Sequence, residues 1–546
     1  MINDSDSRLI ILKAMKKEQK RAFSRITLEN FEKPYFIGYV IKEYDSYNIW
    51  GRYGALFLNS REKTRHMYCE VRVGSHDFDN TINGGVPRKV LEKAESHKFL
   101  QGPIENNINA LRLALWRLTD LKYKEALAQY LEKKGRMLNE VIKKKKIPDF
   151  SKEHASHHVD PCRPLTFDDV RFRESVRKIS GNFRNCRKFI NTWVQMMGKK
   201  ETKFIVNTDG SEIITENFYH VFGLHASALA DDGMPLNLTR NFYYRDHLEI
   251  PGDDFMERER ENLVRDLSNL MKAPLLDPYS GPAIFEPEAA GVFFHEAIGH
   301  RLEGERQISS EEGHTFSGKL GERVLSPSLT IVDDPSVKSF GGKSLLGSYL
   351  YDDEGIPGQK VTLVKEGILE GYLLSRTPVE GFSHSNGHGR NDFYEFPQAR
   401  MASFFVHTSD GKSKAELKSL LLKEARRQKK PHGLIIRNVD SGETNTSRYS
   451  FQAFSGNPKM VYKVNLSTGR ETLVRGVQFV GTPLTSISKI IAAGDTPEVH
   501  NAICGAESGW IPVSAIAPAV LVEEIELQKT KEKNKKPPIL PPPAIV

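Results

Sequence analysis

The segment Phe294-His295-Glu296-Ala297-Ile298-Gly299-His300 constrains this chain more than any other stretch. Pro287 suits a first helical position, and Glu288-Ala-Ala-Gly-Val-Phe-Phe carries a helix into His295. A zinc hydrolase needs neutral imidazole ligands, an open coordination position and a carboxylate that can take a proton from water. The spacing here, however, is HExxxH. On a regular helix, residues four apart lie about 40° apart around the axis, and residues five apart about 140°. His295 and His300 therefore share a face only if the winding changes between them. Gly299 is a natural place for that, and π-bulges occur at functional sites, so a helix irregularity is predicted over 297–300.

Spacing alone is weak evidence, because a chain with 17 histidines produces such groupings by chance. A third ligand must come from elsewhere. Glu303 and Glu305 are candidates, and so is Cys504 in Asn501-Ala-Ile-Cys-Gly-Ala-Glu-Ser-Gly-Trp510, which reads as a loop.

The pattern divides the chain into an N-terminal α/β domain over 1–272, a β-rich C-terminal domain over 273–528 and a Lys/Pro-rich disordered tail over 529–546. The fold class is α+β. Antiparallel strands are expected over 34–75, where Met67, Cys69, Val71 and Val73 fall on one face. Helices are expected over about 106–143, 167–197 and 254–271. A polar connector over 149–165 carries His154, His157, His158 and Cys162, and reads as exposed. A β-meander over 203–248 turns at Asp209-Gly210. After the Pro/Gly-rich link 273–282, short apolar runs at 329–332, 360–364, 371–374, 433–437, 459–464, 478–480 and 519–525 read as strands, with one helix at 413–428.

Net charge is +8, but 78 basic residues oppose 70 acidic ones, and much of the excess sits in runs at Lys143–Lys146 and 529–536. Such runs read as solvated surface, with a reach screened within about 10 Å, and nothing points to nucleic acid. Four dispersed cysteines do not make a disulfide framework, which favours a reducing compartment. The start lacks the apolar core of a signal peptide, and no apolar run is long enough to span a membrane. A cytoplasmic protein is expected.

His295-Glu-Ala-Ile-Gly-His-Arg-Leu-Glu303, taken with Cys504-Gly505 and Ile511-Pro-Val513, resembles the TldD/PmbA family of zinc metalloproteases. Asp352-Asp-Glu-Gly355, Asn386-Gly-His-Gly-Arg390 and Thr468-Gly-Arg-Glu-Thr-Leu-Val-Arg-Gly476 lie between them in a similar order, and the resemblance spans about 290–525. It implies His295, His300 and Cys504 as ligands of Zn2+ and Glu296 as general base. It also implies a peptide or unfolded-protein substrate bound by strand addition, and a homodimer or a heterodimer with a related subunit. Because every metal position is kept, the chain resembles the active type. His388 and Arg390 are candidates for substrate or oxyanion contacts. A non-catalytic peptide-binding partner and a zinc amidase acting on modified peptides are the alternatives. Gly341-Gly342-Lys343-Ser344 imitates the end of a P-loop but lacks its first glycine, since Val337 stands there.

Overall fold

The computed structural model describes residues 6–81, 99–139, 147–309, 313–393, 395–444, 454–479 and 483–530. The lysine run at 143–146 and the tail beyond 530 lie outside the described residues.

The first half builds one seven-stranded sheet. Its order is Leu100–Gln101, Ala55–Val73, Pro34–Arg52, Phe189–Asn207 and Glu212–Leu229, the last flanked by His157–Val159 and Pro235–Tyr244. Long antiparallel hairpins dominate it, and they turn where glycine supplies positive φ, at Gly54 and Gly210. Alternation decides the faces. Ile37, Tyr39, Ile41 and Ile49 point to one side and are fully buried. There they meet the helices Arg8–Arg25 and Ile108–Asn139 at one end and Asp169–Gly181 and Asp253–Lys272 at the other. The opposite face, with Val40, Tyr68, Ile205 and Ile213, packs against Tyr351 and Phe396 of the second half.

Three local expectations are corrected. The helix expected over 167–197 ends at Gly181, and Phe189–Asn207 is a strand. Thr192, Val194 and Met196 are buried with exposed or half-buried residues between them, so a period of two wins there. The connector over 149–165 is not simply exposed: Asp149, Ser151 and Ser156 are buried, and His157–Val159 pairs in parallel with Glu212–Ile214. Cys504 lies in a strand rather than a loop, because Glu498–Ala506 and Gly509–Ala517 form a hairpin. The Gly341-Gly342 pair makes a tight turn with positive φ at both residues, joining Ser339–Phe340 to Lys343–Ser344.

The second half holds two larger sheets. One runs Ile368–Leu369, Val361–Lys365, Leu329–Asp333, Ser403–Thr408, Gly509–Ala517 and Glu498–Ala506. The other includes Ile490–Gly494, Val520–Lys529, Tyr279–Phe285, His432–Thr444 and Phe454–Asn465. Between them sits the helix Pro287–Phe294, packed on His432–Thr444 from one sheet and on the Cys504 hairpin from the other. Ala289, Ala290, Phe293 and Phe294 are at most 2% exposed, so burial on both sides makes this helix apolar all round.

A buried ionic knot joins the halves. Lys42 and Lys203, on the sheet face turned toward the second half, place their ammonium groups 2.8 and 3.0 Å from Asp353 Oδ1. Lys203 also donates to the carbonyls of Tyr351 and Asp352, and Lys42 to the Asn391 carbonyl and side chain. Burial raises the Asp353 carboxyl, but Lys203 and Lys42 outweigh it and hold the group far below the ordinary carboxylate range. Asp353→Asn leaves two buried cations short of an anion. It should cost about 3–5 kcal/mol in denaturant unfolding, and a loss below about 1 kcal/mol would contradict this account.

Candidate metal centre

The helix that begins at Pro287 changes its winding at the motif. His295–Gly299 is wound as a π-helix and His300–Leu302 as a 3-10 turn. The His300 backbone N–H donates to the carbonyl of His295, five residues back, and also to that of Ile298. This bond brings His300 round toward the side occupied by His295, as the spacing required. Gly299 lets Met401 approach the bend closely, since a Cβ there would lie 2.1 Å from Met401 Sδ. Arg301 Nη1 then donates to the carbonyls of Glu296 and Ala297, satisfying acceptors that the altered winding releases.

Cys504 arrives from the hairpin strand. Its Sγ lies 3.1 Å from His295 Nε2 and 3.4 Å from His300 Nε2, across 204 residues of chain in the second case. The donor atoms of the three residues all fall within 4.8 Å of one another, and all three side chains are buried. Two imidazole nitrogens and one sulfur converging at this scale form a donor set of the kind that fits zinc.

The supporting residues were only partly foreseen. Glu303 is not aimed at the cluster as a ligand: its Oε1 lies 2.9 Å from His300 Nδ1 and orients that ring from behind. Burial raises the Glu303 carboxyl, but His300, Arg306 and Arg400 bring it down to about 2. Burial lowers the His300 imidazole, yet Glu303 and Cys504 carry it well above its ordinary value. Burial likewise opposes ionisation of Cys504, but His295, His300 and Arg400 hold the thiol well below its usual value and favour the thiolate, the metal-binding form. Arg400 carries no motif signal in the sequence, and only the fold reveals it.

Glu296 is 7% exposed and packs against bare backbone: a Cβ on Gly442 would lie 2.3 Å from Glu296 Cγ and 3.0 Å from Oε1. His388 is fully buried, with Nε2 at 3.2 Å from Asp333 and Nδ1 at 3.0 Å from the Asn386 side chain. Arg390 donates to the Met401 carbonyl and lies over the Tyr349 ring. Arg390 thus braces the loop that carries Met401 against Gly299, and His388 reaches it only through Asp333, which accepts from the Ala402 and Ser403 N–H groups.

Glu305, the other candidate third ligand, turns elsewhere and accepts hydrogen bonds from Ser375 and the Ala399 N–H. Burial pushes its carboxyl up to about 7 from the ordinary 4.5. With the folded value raised, this group's contribution to stability is present below about pH 4.5 and is lost as pH rises through about 7. Glu305→Gln removes that titration. Relative to wild type, its stability should rise between about pH 5 and pH 8, by up to about 3 kcal/mol, in pH-dependent denaturant unfolding. A pH-independent difference would contradict this.

Residues 278–529 match the PmbA/TldA metallopeptidase C-terminal domain. A metalloprotease TldD homolog from Haemophilus influenzae is 29% identical over 253 residues, which are 46% of this chain and 48% of that protein. A zinc metalloprotease TldD homolog from Saccharolobus solfataricus is 24% identical over 272 residues, 49% of this chain and 55% of that one. The matched part thus spans about half the length of these curated relatives. TldE from Thermococcus kodakarensis has the same fold, with a TM-score of 0.63 over 94% of this chain and all of that one, at 14% identity. With the motif, its altered winding and the family match in agreement, residues 278–529 carry a C-terminal domain of the PmbA/TldA type.

Proposed function

We propose that the chain is a zinc-dependent metallopeptidase that hydrolyses peptide bonds of unfolded or extended peptides. The observation that carries this reading is the convergence of His295, His300 and Cys504 beside Glu296. His295 Nε2, His300 Nε2 and Cys504 Sγ would hold the ion. When bound, zinc supplies a Lewis acid and brings the pKa of water to about 7. Glu296 accepts the proton from the attacking water and returns it to the leaving amine, the general base and general acid role of a positioned carboxylate. The wall of Gly442 backbone against its Cγ limits where that carboxylate can swing.

The strand that carries Cys504 ends its sheet among the described residues. Its outer edge offers main-chain donors and acceptors to an extended peptide, which would then run alongside the ligand sulfur. This supports a peptide substrate bound by strand addition. A homodimer, or a heterodimer with a related subunit, fits relatives that include both TldD-type and TldE-type chains.

Glu296→Gln should keep its metal and lose turnover of unfolded proteins, and retained activity in the purified variant would overturn the general-base role. Gly442→Ala should also keep its metal while kcat falls on the order of 10- to 100-fold, because the added methyl displaces the carboxylate. Cleavage of small amides without any cleavage of unfolded proteins would replace the peptidase reading with an amidase.

A further inference from the structure

We infer that Arg400 is the positioning residue of the metal centre: it fixes the sulfur of Cys504 and, through Glu303, the ring of His300. The inference rests on the metal-site reading proposed above and extends it to a residue outside the motif. Arg400 is 1% exposed and ranks among the largest fully buried side chains. Its Nη2 donates to Cys504 Sγ at 3.1 Å and to the Cys504 carbonyl at 3.0 Å. Its Nη1 donates to Ser508 Oγ at 2.9 Å and to the Gly509 carbonyl at 3.1 Å, at the turn of the same hairpin. Its Nε lies 3.5 Å from Glu303 Oε1, the oxygen that stands 2.9 Å from His300 Nδ1.

One planar cation therefore touches the ligand from the hairpin and the carboxylate that orients the ligand from the helix. A neutral amide could close the hairpin by meeting its carbonyls. With only two N–H donors it could not also reach the Cys504 sulfur and the Glu303 carboxylate, and a lysine offers a point charge in place of a fixed fork. Arg306 does not replace it, since it donates to the other Glu303 oxygen and to Glu507. A hydrogen bond to the sulfur also occupies one side of that atom, and it would draw electron density from the sulfur when an ion is bound.

The test uses the full chain as wild type, Arg400→Lys, Arg400→Gln and Ser508→Ala, with zinc affinity measured by chelator competition. Each protein is also loaded with cobalt(II), so that the sulfur-to-cobalt charge-transfer band reports on the ligand itself. Loss of the guanidinium should weaken zinc binding about 10- to 100-fold and move the band. Ser508→Ala, which keeps the cation and frees one anchor, should give a smaller change in the same direction. It decides the matter if the arginine variants do not fold. Wild-type affinity and an unmoved band in folded Arg400→Lys or Arg400→Gln would overturn the inference, leaving Arg400 as a hairpin clasp. A wild type with no sulfur-to-cobalt band would overturn the Cys504 ligand assignment and this inference together.

Discussion

A backbone hydrogen bond reaching five residues back, from the His300 N–H to the His295 carbonyl, turns together two side chains that a regular helix would hold apart. Everything else at the centre is built around that bond. The bare Cα of Gly299 lets the Met401 side chain pack directly against the turn, in the space a Cβ would take. The bond releases carbonyl groups that Arg301 then satisfies. It also ends the helix, so that Glu303 can fold back behind His300 instead of continuing along a helical face.

The altered winding is held by packing on both sides. The apolar helix before it is clamped between two sheets, and a helix buried this way cannot rotate to move its histidines without disturbing Phe285, Phe293 and Phe294. One sheet delivers Gly442 against Glu296, and the other delivers Cys504 against both imidazoles. Charge follows the same logic. The Glu303 carboxylate and the Cys504 sulfur are buried against buried arginines, an arrangement that is stable only while all its members are present. The Lys42, Lys203 and Asp353 knot applies the same rule at the junction between the halves.

Much of this was legible in the sequence where the signal was local. The HExxxH spacing with Gly299 announced the change in winding, Asp209-Gly210 the hairpin, and the alternation at Met67–Val73 the buried face of a strand. The helix expected over 167–197 failed because its second part follows a strand period through Thr192, Val194 and Met196. Cys504 read as a loop residue because glycine and polar neighbours hid a short edge strand whose partner, Gly509–Ala517, follows at once. Arg400 and Gly442 left no trace, since each acts through a contact made only in the folded chain, with Cys504 and Glu296 respectively. The Asp352-Asp353-Glu354 motif was visible, but its role at the junction depends on lysines about 150 and more residues earlier.

The proposed metal centre draws its ligands from two segments far apart in the chain. Elemental analysis of the purified wild type beside Cys504→Ala and His300→Ala puts this pairing to the test. About one zinc per wild-type chain is expected, with loss of that zinc in both variants. Zinc retained at the wild-type level in Cys504→Ala, or no zinc in the wild type after reconstitution, would contradict it.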